Sequence, residues 1–331
     1  MIDIMELFLA IAAVVAGLAL LVYSADKFVL GASGTAYSLG MSPFFIGMII
    51  VGFGTSAPEM LVSGISAWEG NPGIAIGNAY GSNIANIGLI LGITALIIPI
   101  KVKASIIFRE LPILTAVTLL SVGLLYDLKI SGADAWILIG VFVLILVYTS
   151  LKGKSDASDD DAENPGLSLK ASLAWLIAGL LLMMASSRAL VWGAVEIAKM
   201  LEVPDVIIGL TVIAVGTSLP ELASSVVAAR KGQDDLAMGN IVGSNLFNTL
   251  IVVGIAGVIK SFEVDRIVLY RDVLLMTVLT IVLFPMGYKY RREQKAGTIG
   301  RISGVILLTV YIAYTAYLAL IALKIIPQIS I

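Results

Sequence analysis

Two glutamates stand where this sequence can least accommodate charge. Glu59 ends the stretch Gly54-Thr55-Ser56-Ala57-Pro58-Glu59, and Glu221 ends Gly216-Thr217-Ser218-Leu219-Pro220-Glu221, each within a run of apolar residues long enough to cross a bilayer. An ionisable group in such a run points to function. Pro58 and Pro220, read as helix-interior residues, lack an N–H and clash with the carbonyl four residues earlier, that of Gly54 or Gly216, so backbone oxygens are freed beside the carboxylates. Carboxylate, hydroxyl and carbonyl oxygens together form a hard environment suited to Ca²⁺, which takes about 6 to 8 oxygens. Two bidentate glutamates and the carbonyls of Thr55 and Thr217 supply about six. The two stretches therefore predict one shared cation site.

A second pair of motifs follows the first. Gly77-Asn78-Ala79-Tyr80-Gly81-Ser82-Asn83-Ile84-Ala85-Asn86 has its twin from Gly239 to Asn248. Asn78, Ser82 and Asn86 recur every four positions and share one helical face, as do Asn240, Ser244 and Asn248. Such a face can coordinate Na⁺, and its small residues equally suit close helix packing with polar groups bonding across the interface. Asn83 and Asn245 point off it.

The elements that hold these residues are membrane helices. Only 13% of the 331 residues are charged, roughly half the share of a soluble domain, and mean hydropathy is +1.02. Apolar stretches of helical rather than barrel-strand length predict an all-α integral membrane protein with ten transmembrane helices: 5–33, 43–68, 72–98, 108–126, 133–151, 169–198, 204–229, 235–259, 268–287 and 302–324. The first run continues past the length of a signal-peptide core and lacks a basic leader, so it reads as an uncleaved helix.

Adding 162 to a residue number superimposes Gly47 on Gly209, Glu59 on Glu221, Gly77-Asn78 on Gly239-Asn240, Gly81-Ser82-Asn83 on Gly243-Ser244-Asn245, and Asn86 on Asn248, without a gap. Because each repeat has an odd number of helices, the second enters the membrane from the opposite side. The chain thus reads as two inverted-topology five-helix repeats, 1–151 and 169–331, with the site where they meet. They are joined by an acidic linker, 152–168.

With both termini outside, predicted inner loops hold Lys101, Lys103, Arg109, Lys152, Lys154, Lys170, Arg230, Lys231, Lys289, Arg291, Arg292, Lys295 and Arg301, against Lys129, Lys199, Lys260, Arg266, Arg271 and Lys324 outside. This bias places the linker in the cytoplasm and the protein in the cell membrane. Asp26, Lys27 and Arg188 fall within long helices, where they either line an ion path or, as is expected, pair or snorkel to the interface.

The sequence contains neither histidine nor cysteine, which removes imidazole relays, His-based zinc sites, thiol chemistry and disulfides. A net charge of −2 offers nothing to nucleic acid. Symmetric carboxylates beside prolines supply cation ligands rather than a nucleophile and base, so a transporter is expected instead of an intramembrane enzyme or a scaffold, with no cofactor and no protein partner beyond the lipid bilayer.

With its paired GTSxPE and GSN-x-x-N stretches, the chain resembles the cation/calcium exchanger superfamily over nearly its whole length, in particular the prokaryotic sodium/calcium exchangers. The resemblance implies exchange of Na⁺ for Ca²⁺ by alternating access, with helices two, three, seven and eight enclosing the ions. It implies that Glu59 and Glu221 are shared ligands and that Thr55 and Thr217 add backbone oxygens. Ser56, Ser82, Ser218, Ser244 and Asn86, with the carbonyls of Gly52 and Ala214, would serve flanking sodium sites. Asn248 stands where the archaeal exchanger has Asp, which leaves the cavity a formal charge of −2 from its two glutamates. Proton-coupled relatives tend to have GNxxE where this chain has GTSxPE, so Na⁺ is the implied coupling ion; Ca²⁺/H⁺ or broader cation exchange is the alternative.

Overall fold

In the computed structural model, which describes residues 4–153, 166–288 and 296–327, the apolar stretches are helices throughout. These are α1 (Ile4–Leu39), α2 (Pro43–Thr55, then Ala57–Trp68), α3 (Pro72–Ile97), α4 (Ile106–Leu124), α5 (Gly132–Gly153), α6 (Leu169–Met200), α7 (205–217, then Leu219–Arg230), α8 (Asp234–Ile259), α9 (Val268–Gly287) and α10 (Arg301–Ala322). Eight are unbroken and long enough to span a bilayer, and α2 spans as two halves bent by 45°. The remaining helix, α7, is interrupted at the matching position. Of the linker, residues 154–165 lie outside the described residues.

Helix α1 runs six residues beyond its expected end at 33. Thr35 donates its hydroxyl to the Gly31 carbonyl at 2.7 Å, and Ala32 and Ala36 are buried, so the small polar stretch stays helical until Gly40 turns the chain with φ +59°. At 36 and 32 residues, α1 and α6 are about 54 and 48 Å long, longer than the bilayer core. They lie against each other through four glycines in two repeat-mate pairs, Gly17 with Gly179 and Gly31 with Gly193. A Cβ at Gly17 would fall 2.9 Å from Leu190 N, and one at Gly179 2.6 Å from Phe28 N.

Four short strands join the repeats: β1 (Ile100–Lys103), β2 (Lys129–Ile130), β3 (Phe262–Glu263) and β4 (Ala296–Ile299). β1 pairs antiparallel with β4, and β2 with β3. Counting helix crossings puts the two sheets on opposite membrane faces, as inverted repeats require. On the β1–β4 face Lys103 also pairs with Asp235 at 2.7 Å. At the starts of α4 and α9, the mates Arg109–Glu110 and Arg271–Asp272 form neighbouring ion pairs at 2.6 Å each.

Candidate cation site

The two glutamates sit where their helices are broken. In α2 the first half ends at Thr55, Ser56 leaves the helical region with φ −85° and ψ 1°, and Ala57 starts the second half; in α7 Ser218 does the same with φ −92° and ψ 6°. This corrects the expectation of prolines inside continuous helices. Pro58 and Pro220 occupy the first turn of a new helix, where a missing N–H is tolerated. The Gly216 carbonyl is taken by the Ser187 hydroxyl at 2.8 Å. Glu59 and Glu221 lie in the first turns of the second halves, where the helix dipole favours an anion. One π-helical turn precedes each break, at Gly47–Val51 and Gly209–Ile213, and others follow the polar faces at Asn86–Leu91 and Phe247–Val252.

Helices α2, α3, α7 and α8 pack around the two breaks. Glu59 and Glu221 are 2% and 3% exposed, and neither has a basic partner among the described residues. Thr55, Ser56, Ser82, Ser218, Ser244, Asn86 and Asn248 are buried with them, as is Gly52. Ala214 is exposed and Thr217 half-buried. Of the six buried side-chain oxygens without a hydrogen-bond partner among the described residues, four are on candidate residues, Ser56 Oγ, Glu59 Oε2, Glu221 Oε2 and Asn248 Oδ1, and the others are Asn83 Oδ1 and Ser172 Oγ. Such groups are costly unless something electropositive meets them.

Asn78 and Asn240 act as braces. Asn78 Nδ2 donates to the Glu59 carbonyl at 3.2 Å and to Ser63 Oγ at 2.9 Å. Asn240 Nδ2 donates to the Glu221 carbonyl at 3.3 Å, Ser224 Oγ at 3.0 Å and Ser225 Oγ at 2.9 Å. Sequence reading missed Ser63 and Ser225, although each stands four residues after its glutamate and so on the same helical face. Thr55 Oγ1 donates to Asn240 Oδ1 at 3.1 Å, and Asn86 Nδ2 to Asn245 Oδ1 at 3.2 Å, both across the repeats. Asn83, unassigned from sequence, donates to Thr249 Oγ1 at 2.7 Å.

The surroundings of the two halves differ. The first half of α2 is pressed onto α8: a Cβ at Gly52 would lie 3.1 Å from Gly243 C, and one at Gly239 2.9 Å from Met48 N. Among the described residues the mate packing of α3 on the first half of α7 is not made. A Cβ at Gly77, Gly81 or Gly209 would meet no described residue within 4 Å. A cavity of about 940 Å³ reaches Thr217, Gly216, Pro220 and Pro58 along the C-terminal half of α6, past Arg188, Trp192 and Glu196. Among the described residues the site is thus sealed by packing toward the face that bears β1–β4, and the cavity lies toward the face that bears β2–β3. Of the three ionisable residues expected to pair or snorkel, Asp26 pairs with Lys231 at 2.7 Å, Lys27 lies over the rings of Tyr23 and Trp175, and Arg188 lines the cavity.

Known proteins agree with this architecture. A family model described as sodium/calcium exchanger protein matches residues 9–151 and 171–320. The putative antiporter CaxA of Alkalimonas amylolytica is 44% identical over 91% of this chain and 96% of its own. The sodium/calcium exchanger MaX1 of Methanosarcina acetivorans is 29% identical over 91% of this chain and 96% of its own. A solved structure of the sodium-calcium exchanger NCX_Mj superimposes with a TM-score of 0.80 at 31% identity, covering 94% of this chain and 98% of that one. Both repeats and the helices between which the glutamates lie are covered, and the chain is a multi-pass membrane transporter of the sodium/calcium exchanger protein family.

Proposed function

We propose that the protein is a secondary antiporter in which Na⁺ moving down its gradient drives Ca²⁺ the other way, the two ions competing for Glu59 and Glu221 near the middle of the membrane. The observation that carries this reading is the pair of buried carboxylates on mate half-helices, each with an oxygen that no group among the described residues satisfies. Thr55 and Thr217 contribute backbone oxygens. Ser56, Ser82, Ser218, Ser244, Asn86 and Asn248, with the carbonyls of Gly52 and Ala214, hold sodium beside them. Competition couples the fluxes, because a ligand shifts a conformational equilibrium only through its differential affinity for the two states.

Residues 1–151 and 169–331 form the two repeats, and exchanging their packings carries the site from one face to the other. Both termini lie outside and the 152–168 linker is cytoplasmic, so the cavity along α6 opens outward. The family name of the chain and the names of its relatives support Na⁺ and Ca²⁺ as the substrates.

The test is ⁴⁵Ca²⁺ uptake into Na⁺-loaded proteoliposomes, beside K⁺-loaded and pH-gradient controls, with Glu59→Gln and Glu221→Gln. Uptake that requires internal Na⁺ and is lost in both variants is expected. Uptake driven by a pH gradient alone would replace Na⁺ with H⁺ as the coupling ion, and full activity in either variant would refute the shared site.

A further inference from the structure

An ion pair fastens the sealed side. Lys231 Nζ lies 2.7 Å from Asp26 Oδ1 and donates to the Asp26 carbonyl at 3.2 Å, tying the turn between α7 and α8 to α1. Ser33 Oγ donates to Gln233 Oε1 at 2.7 Å beside it. Shifted by 162 residues, Asp26 corresponds to Arg188 and Lys231 to Glu69, so the mate pair carries both charges reversed.

The turns bearing Glu69 and Lys231 have the same backbone. Glu69 has φ −72°, ψ −2° and Lys231 φ −84°, ψ 4°. Gly70 and Gly232 follow in the left-handed region at φ +88° and +74°. Asn71 and Gln233 come next at φ −110°, ψ 55° and φ −91°, ψ 57°. Their amides return to mate carbonyls, Glu69 to Ile65 at 2.9 Å and Lys231 to Val227 at 3.1 Å. The helices facing the turns are mates as well, packed through mate glycines. What differs is occupancy. Lys231 grips α1, whereas Arg188 lines the open cavity, and neither it nor Glu69 has an ion-pair partner among the described residues.

We infer that Arg188 and Glu69 are the closing pair of the open side: when α6 moves onto the second half of α2 and the cavity shuts, the Arg188 guanidinium takes the Glu69 carboxylate while Asp26 and Lys231 part. This rests on the alternating-access reading above and adds two positioning residues to it. An exposed ion pair suits a gate because water and salt keep it weak enough to reopen. Making one pair as the other breaks also leaves the two end states close in energy.

The chain contains no cysteine, so paired thiols can be added without background. Glu69→Cys with Arg188→Cys is compared with Asp26→Cys with Lys231→Cys in proteoliposomes. The reagent is a reversible bifunctional thiosulfonate, because an ion pair holds Cα atoms farther apart than the ~7 Å a disulfide tolerates. Both pairs are expected to cross-link, each cross-link halting Na⁺-driven ⁴⁵Ca²⁺ uptake until it is reduced. A working wild-type exchanger in which 26/231 cross-links and 69/188 never does overturns the pair alone, while a wild type without Na⁺-driven uptake overturns the exchanger reading itself. As a second test, Glu69→Arg should slow exchange about two- to fivefold, the worth of an exposed ion pair, and adding Arg188→Glu should restore it. A double variant no faster than the single overturns the assignment.

Discussion

Gly81 and Gly243 are the same residue of two repeats in opposite surroundings, and an added methyl on each should push the transporter in opposite directions. A Cβ on Gly243 would fall 2.7 Å from both the C and Cα atoms of Met48, closer than real contacts allow, and the obstacle is backbone rather than a movable side chain. At Gly81 no described residue lies within 4 Å. If the repeats exchange packings, Gly81 meets the backbone of residue 210 in the other state, as Gly243 now meets that of Met48. Forcing a methyl group into such a contact costs about 1 to 3 kcal/mol, which is about five- to 150-fold in the ratio of the two states. The helix-propensity gain of about 1 kcal/mol from Gly to Ala applies to both states and cancels.

Gly81→Ala should therefore hold the protein in the state seen here, and Gly243→Ala should drive it out. The assay is the rate at which a thiol reagent added to the cavity side labels Val195→Cys, a position lining the cavity, alongside ⁴⁵Ca²⁺ exchange. Both glycine variants should exchange slowly, with labelling accelerated in Gly81→Ala and suppressed in Gly243→Ala. Wild-type exchange by Gly81→Ala with unchanged labelling would refute the mirror-state reasoning, since the methyl group would then never meet an obstacle.

Other substitutions probe the site and its bracing. Asn248→Asp adds a third carboxylate to a site that now holds two, and that carboxylate attracts Na⁺ only when deprotonated. Sodium activation of exchange should then strengthen as pH rises, and coincident sodium curves for variant and parent across pH would sink the charge-count argument. Asn240→Ala removes the donor that three oxygens share and the acceptor used by Thr55. It should cost about 1 to 3 kcal/mol of stability and lower the thermal midpoint in detergent more than Asn78→Ala, which removes two bonds; equal midpoints would refute the bracing role.

The parts of this architecture that the sequence made legible are those set by chemistry repeated at a fixed interval. A carboxylate in an apolar run is rare enough to be noticed once, and its recurrence 162 residues later with the same proline and hydroxyls led to a candidate site between the repeats, whose two glutamates are both buried. Helix ends were read closely where turn residues mark them and less well at α1, where Ser33-Gly34-Thr35 resembles a loop but Thr35 bonds back along the helix. The position of each break was misread, because proline signals a disrupted helix without saying on which side the disruption falls. Here the chain leaves the helix two residues earlier, at Ser56 and Ser218, and the proline starts the next segment. The strands β1 to β4 were invisible, since two to four residues carry no usable alternation.

The asymmetry between the repeats was illegible for a deeper reason. Gly77 and Gly81 read identically to Gly239 and Gly243, yet one pair meets no described neighbour and the other lies against backbone. A sequence that supplies glycine at all four positions specifies two interfaces of the same kind, and this conformation makes one of them. The unused interface is not idle sequence, because a helix-interior glycine costs about 1 kcal/mol relative to alanine and gives no packing return at Gly77 or Gly81 here. The cost is recovered only in a conformation where those positions touch a neighbour. Under the proposed alternating-access reading, mate residues with unlike surroundings are the imprint, within one conformation, of the other state.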